Sequence, residues 1–401
     1  MTLSGIRVLE LGVWAAAPSA SAILGDWGAE VIKIENPNGG DPCRGILHTG
    51  GVFRGADFNQ QWELLNRNKR SLALDITKDQ GREVVYKIVT SADVFISNLR
   101  PTTLARLAYD YDTLSNINPR LIYCLVLGYG TAGPGKDWPA FDETAYWASS
   151  GLMSILGEPD SPPPMLHGAM GDLPTGMFAA GGIALALYHR ERTGKGQKVA
   201  VSLLGSGAWT VAFDLQTALY YNYDSPRESR KDKINPLFNS YQTKDKRWIM
   251  LAMPQSELYW PRFCQAIGRT DLEADPQFNT HERRVENSKL LISILDEVMT
   301  TITLTELSEK FRHADLVWAP VQTLTEVAND PNMIMNQYIV EYVHPSRGKV
   351  RGISSPVNFS DTPAVIRNPA PELGQDTEEI LLEIGYNWDE IQQMKDNKVI
   401  L

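Results

Sequence analysis

From Ile6 to Leu127 the chain alternates short apolar runs with helix-like segments, and this alternation constrains the fold more than any other feature. Ile6–Leu11, Glu30–Glu35, Ser71–Ile76, Asp93–Ser97 and Leu121–Leu127 read as strands. Ala15–Trp27, Lys78–Ser91 and Thr103–Ala108 read as helices, the first stopped by Gly28. Strands alternating with helices predict an α/β fold with a doubly wound parallel sheet. Ligands of such sheets bind beyond the carboxyl ends of the strands, here Gly12–Ala16, Asn36, Thr77 and Asn98–Arg100. The turn Leu11-Gly12-Val13-Trp14-Ala15-Ala16 lacks G-x-G-x-x-G, and Trp14 would crowd a pyrophosphate, which argues against a dehydrogenase.

Farther along, 205–225 is rich in aromatics and reads as helical, and Ser225–Lys233 reads as an exposed, charged connector. A second unit follows: strand Trp248–Met253, helices Tyr259–Ile267, Ser288–Met299 and Leu304–Ala314, and strand Val317–Val321. From about Leu324 short helices and Pro-rich loops lead to a helical tail. The formal net charge of −10 argues against a nucleic-acid partner, though not against an anionic ligand held by a few Lys and Arg. Cys43, Cys124 and Cys264 are too scattered for a disulfide framework or a zinc site, so no metal is expected and a reducing cytoplasm is the simplest location. The opening MTLSGIRVLELG shows no signal-peptide pattern, and the longest apolar run, Met177–Tyr188, is too short to span a bilayer, so no membrane association is expected.

One acid stands apart. Asp172 lies among Gly168, Ala169 and Gly171 and opens the apolar Met177–Tyr188 segment, which leads to a charged turn, His189–Arg192, and a β-type run, Val199–Leu203. Glycines there let a ligand approach closely. A carboxylate so placed is a candidate nucleophile for covalent acyl chemistry. It is also a candidate helix N-cap, with Pro174 in the first turn, and on local grounds alone the cap is the favoured reading.

Eight segments in order carry a resemblance: LSGIRVLELG, GAEVIKIENP, NRNKRSLALDI, ADVFISNLRP, INPRLIYCLVLGYGTAGP, GDLPTGMFAAGGIALALYHRERTGKGQKVAVSLL, VWAPVQTLTEVANDP and APELGQDTEEILLEIGY. From about residue 3 to residue 396 the chain resembles the class III CoA-transferases, the family that also contains the α-methylacyl-CoA racemases. The resemblance implies a large Rossmann-like domain (1–224), a smaller α/β domain (225–325) and a linker with a C-terminal return to the large domain (326–401). It also implies an interlocked homodimer, coenzyme A as substrate and no permanently bound cofactor. In G-D-x-x-x-G-M, Asp172 matches the nucleophile, which exchanges acyl groups and CoA through mixed anhydrides and a β-aspartyl-CoA thioester, with nearby glycine N–H groups available to the oxyanions.

By the same resemblance, Arg100 and Arg106 match basic contacts to the CoA nucleotide. Asn36, Leu74, Asp75, Thr77, Asn98, Leu99, Phe141 and Asp142 complete the CoA-binding candidates. Lys69 and Arg70 precede their strand and read as structural. Ala15 stands where the family often has a polar residue. Asp142 either hydrogen-bonds near the reaction centre or caps a helix over Thr144–Ser150. Racemases carry a histidine where this chain has Phe141, and a phenyl ring moves no proton, which favours transfer. Asn235–Tyr241 replaces the glycine-rich loop of oxalate-type members, which argues against an oxalate/formate pair. Trp147, Met153, Met165, Met170 and Phe178 point to a larger, more apolar acyl group, and FDETAYWASSG with PPPMLHGAMGDLPTGM looks most like members acting on 2-hydroxy and aryl- or branched-chain acids. The alternatives are an acyl-CoA racemase or epimerase, and a non-catalytic CoA-binding protein in which Asp172 is only a cap.

Overall fold

Strands β1 (Arg7–Leu11), β2 (Glu30–Glu35), β3 (Lys69–Ala73), β4 (Val94–Ser97), β5 (Ile122–Leu127) and β6 (Lys198–Ser202) pair in the order β3-β2-β1-β4-β5-β6, each neighbouring pair parallel. This is the mixed α/β fold and parallel sheet that the alternation predicts. The computed structural model describes residues 1–48, 57–164 and 167–401. The strand order reverses between β1 and β4, and the crevice beyond the carboxyl ends of these two strands is where such sheets take ligands.

The first part of the chain supplies helices α1 (Ala16–Asp26), α2 (Gln60–Asn66), α3 (Asp79–Val89), α4 (Pro101–Arg106), α5 (Tyr111–Ile117) and α6 (Leu152–Ile155). A π-helical turn, Asp142–Ala148, lies between α5 and α6, and α7 (Asp172–Thr193), α8 (Leu203–Thr210) and α9 (Ala212–Tyr221) follow. Successive strand residues point to opposite faces, and both faces are apolar. Leu9, Ile32, Phe95 and Tyr123 face α3 and the C-terminal helices Thr377–Glu383 and Trp388–Asp396. Val8, Val31, Val94 and Ile122 face α1 and α7. Small residues let those two helices pack tightly: a Cβ on Gly176 would overlap the Ser19 hydroxyl.

Contacts divide the chain into two units, Met1–Met153 with Met165–Asp224 and Pro331–Leu401, and Ser154–Pro164 with Ser225–Asp330. In the second, β7 (Ser240–Gln242), β8 (Trp248–Leu251) and β9 (Trp318–Pro320) form antiparallel pairs over a core containing Tyr241, Trp260, Phe263, Leu295 and Phe311. Among the described residues no helix is long and apolar enough to cross a membrane.

Several boundaries differ from the sequence reading. The third strand starts at Lys69, so Lys69 and Arg70 lie inside it. Two adjacent cations disguise a buried strand, but both are paired. Lys69 Nζ sits 2.6 Å from Glu10 Oε2, and Arg70 bridges Glu30 and Glu383. His189–Arg192 is no turn but the last turn of α7, because Arg190 is buried against Asp93 and Gly194, at φ +75°, ends the helix. Helices α2 and α5 and the antiparallel hairpin Ile339–His344/Gly348–Ile353 were not anticipated. The hairpin's strands mix half-buried and exposed residues, and so carry little apolar signal.

Candidate active site

Two neighbouring cavities open at the switch point and share Val13. The first, about 300 Å³, lies beyond the ends of β1, β2, β3 and β4. Asn36, Leu74, Asp75, Thr77, Leu99 and Arg106 line it. Arg106 stands in the last turn of α4. It is exposed and has no ion-pair partner among the described residues. The Asp75 carboxylate accepts from the N–H (3.0 Å) and hydroxyl (2.6 Å) of Thr77, which stiffens the loop after β3. Arg100 caps α4 from an exposed position and does not line the cavity.

The second cavity, about 180 Å³, holds Asp172, with Asn98 and Phe141 in its wall. Asp172 is the first residue of the 22-residue helix α7, whose N-cap is Gly171. Asp172 thus sits inside the helix and not at its N-cap, so the cap reading is corrected. Among the described residues no hydrogen bond to its carboxylate is found. Burial raises its pKa to about 7, and the charges of Asp142 and Glu143 push the same way. A carboxylate with little solvation and no donors is more basic and more nucleophilic than one in water.

Asp142 supplies the support. It does not cap the helix that it opens, where the Thr144 hydroxyl accepts the Phe141 N–H and donates to the Phe141 carbonyl, each at 3.0 Å. Buried to 2 % exposure, its two oxygens accept the Gly171 N–H at 3.0 and 3.1 Å. Burial raises the Asp142 pKa, partly offset by that N–H. The bond fixes the residue before Asp172 but occupies one of the glycine N–H groups expected to serve oxyanions. Gly171 has to be glycine, because a Cβ would overlap the Tyr146 ring and the Asp142 carboxylate.

The aromatic wall is not the one the sequence suggests. Trp147, Met153, Met170 and Phe178 do not line the Asp172 cavity, and Met165 lies outside the described residues. Trp147 is buried, and Phe178 lines a separate apolar cavity with Met177 and Ile23. Trp14 and Phe141 form the wall instead, edge to face with centroids 6.1 Å apart. Trp14 adopts φ +63°, unusual for a bulky residue. Ala15 lines the cavity too, with only a methyl group to offer.

The sequence reading missed a buried ion-pair cluster behind the Gly12–Trp14 turn, whose Asp41 also lines the first cavity. Glu10, Lys33 and Asp41 are almost wholly buried, with Lys33 Nζ 2.6 Å from Glu10 and 2.9 Å from Asp41. Burial disfavours each charge, yet the pairing outweighs it, holding the Glu10 pKa low and the Lys33 pKa high. A signal was present for two of them: Glu10 and Lys33 are flanked on both sides by apolar residues within the strands RVLEL and EVIKIE.

The profile of CoA-transferase family III matches residues 3–377. The cinnamoyl-CoA:phenyllactate CoA-transferase of Clostridium sporogenes is 34% identical over 99% of this chain and 97% of its own. The (R)-2-hydroxy-4-methylpentanoate CoA-transferase of Clostridioides difficile is 35% identical over 100% of both chains. Among solved structures, a CAIB/BAIF family protein from Brucella suis superposes with TM-score 0.82 at 28% identity, covering 95% of this chain and 98% of its own. The chain belongs to CoA-transferase family III and is an enzyme of CoA transfer.

Proposed function

We propose that Asp172 is the nucleophile of a CoA transfer between two carboxylic acids, with CoA carried on the aspartate between them. The observation that carries this is a cavity-facing carboxylate with no hydrogen-bond donor among the described residues and a pKa raised to about 7. A carboxylate oxygen attacks the donor thioester, the C–S bond breaks, and CoA leaves as thiolate. The thiolate attacks the aspartyl carbonyl of the resulting anhydride, releasing the donor acid and leaving a β-aspartyl-CoA thioester. The acceptor carboxylate attacks this thioester and expels CoA thiolate. That thiolate takes the acceptor acyl group and returns Asp172 as a carboxylate. Each step exchanges one acyl bond for another, with no net uptake of water or protons.

In this reading the larger cavity takes the CoA nucleotide, with Arg106 facing a phosphate, and the chain of CoA passes Val13 towards Asp172. The wall of Trp14 and Phe141 suits an aryl- or branched-chain acyl group, in keeping with the acids named for the two bacterial relatives. Phe141 offers no proton at the α-carbon, which favours transfer over racemisation. A homodimer would cover α9, none of whose residues is buried, together with exposed Trp209, Phe213 and Tyr220. We place the reaction in the cytoplasm, where the buried free thiols Cys43, Cys124 and Cys264 stay reduced.

The test is a panel of acyl-CoA donors and free-acid acceptors in heavy water. CoA appearing on the acceptor with no deuterium at the α-carbon supports the reading. Deuterium entering the α-carbon without transfer supports a racemase instead.

A further inference from the structure

The turn Gly12–Trp14 lies where the two cavities meet, and four of its six backbone polar groups bond to side chains. Lys33 Nζ donates to the Gly12 carbonyl at 2.9 Å. Asn98 closes on Val13 from both ends, accepting its N–H at 3.0 Å and donating to its carbonyl at 2.7 Å. Asp41 Oδ1 accepts the Trp14 N–H at 3.0 Å and the Cys43 N–H at 2.9 Å, while Oδ2 faces Lys33 at 2.9 Å. Strand β2, the loop after it and the loop after β4 thus send one ammonium (Lys33), one carboxylate (Asp41) and one amide (Asn98) to three consecutive residues. Lys33 and Asp41 are buried, with exposures of 0% and 1%.

Such over-determination has a reason. Trp14 is held at φ +63°, a region that a bulky side chain leaves unless its surroundings hold it there. The left-handed residue reverses the chain between β1 and α1 and presents the indole to the Asp172 cavity, edge to face with Phe141. A relaxed turn would withdraw that wall and leave Asp172 itself untouched, since Asp172 is anchored from Gly171 and Asp142.

We propose that Lys33, Asp41 and Asn98 are positioning residues that hold the Gly12–Trp14 turn left-handed at Trp14, and so set the enzyme's preference for bulky apolar acyl groups. This rests on reading the Asp172 cavity as the acyl site. Asn98 acts through Val13, whose backbone engages both ends of its amide. Asp41 gives the Trp14 N–H an acceptor oxygen and, separately, gives the buried Lys33 a counter-charge, and the proposal assigns the hold on the turn to the first.

That last distinction gives the experiment. Asp41→Ala removes the acceptor, whereas Asp41→Asn keeps an oxygen for the Trp14 N–H. The readout is the ratio of kcat/KM for a phenylpropanoyl-CoA donor to that for acetyl-CoA. Partial unfolding lowers both terms equally and leaves the ratio unmoved. We expect Asp41→Ala to lower the ratio at least about tenfold, equivalent to about 1.4 kcal/mol. Asp41→Asn should stay within about threefold of the parent. Trp14→Ala should lower it as far, and Asp41→Ala added to Trp14→Ala should lower it no further. Amide exchange in the peptide spanning Gly12–Ser19 should speed up in Asp41→Ala and not in Asp41→Asn. An unchanged ratio in Asp41→Ala, or equal damage from both Asp41 variants, overturns the proposal. A ratio indifferent to Trp14→Ala refutes the acyl-site reading, while the exchange measurement still reports on the turn.

Discussion

Replacing Gly171 by alanine adds a single carbon, and the structure says where it goes. The new Cβ would overlap Tyr146 on one side and the Asp142 carboxylate on the other, both buried. Ordinary van der Waals contact requires those groups or the start of α7 to retreat by about 1 Å. Asp142 cannot stay on the Gly171 N–H while that happens, so the anchor of Asp172 is lost with the space. A displacement of about 1 Å at a reacting group lowers turnover by about 100-fold, and overpacking of this kind costs about 1–3 kcal/mol of stability. The larger cavity, formed by β1–β4, is not touched. Steady-state kinetics with binding of free CoA by calorimetry therefore gives a split result: kcat down about 100-fold, CoA affinity within about twofold. Turnover within threefold of the parent would refute the argument, and so would a loss of CoA affinity that matches the loss of kcat.

Three further expectations follow from the same geometry. The raised pKa of Asp172 means that the native state binds more protons than the unfolded chain between about pH 4 and pH 7. Its contribution to stability therefore falls as pH rises through that window. Asp172→Asn should gain on the parent in urea melts at pH 8 but not at pH 4, by up to about 4 kcal/mol, and about 2 kcal/mol after solvent screening. A parent kcat/KM that does not rise towards a plateau above about pH 7 would count against ionised Asp172 as the attacking group. Arg106→Ala should raise KM for acyl-CoA about tenfold and leave kcat within twofold, while Arg100→Ala, outside the cavity, should do less. Phe213→Asp, placed on a residue that is 94% exposed, should turn a dimer into a monomer in light scattering at micromolar concentration, and a monomeric parent would remove the dimer proposal altogether.

The parallel sheet was legible because its strands are apolar on both faces and its helices fall between them. Strand-end logic also reached part of the first cavity: Gly12, Val13, Asn36, Thr77 and Leu99 lie just beyond strand ends and line it. Three things were hidden, each for a physical reason. Charges inside strands mislead when their partners are distant in sequence: Lys69 looks like a strand breaker until Glu10 stands 2.6 Å away. Helix capping depends on a backbone geometry that composition does not reveal, so Asp172 and Gly171 exchange the roles that residue preference assigns them. Sequence proximity to a nucleophile does not mean proximity in space. Met170 and Phe178 flank Asp172 in the chain and miss its cavity, while Trp14, far away in sequence, lines it.

The most direct test of the covalent route is intact-protein and peptide mass spectrometry after brief incubation with an acyl-CoA donor and no acceptor. The account predicts a CoA-sized adduct on the peptide containing Asp172, discharged by hydroxylamine and absent in Asp172→Asn. An enzyme that turns over with that donor yet carries no adduct on Asp172, or carries it on another residue, would contradict it.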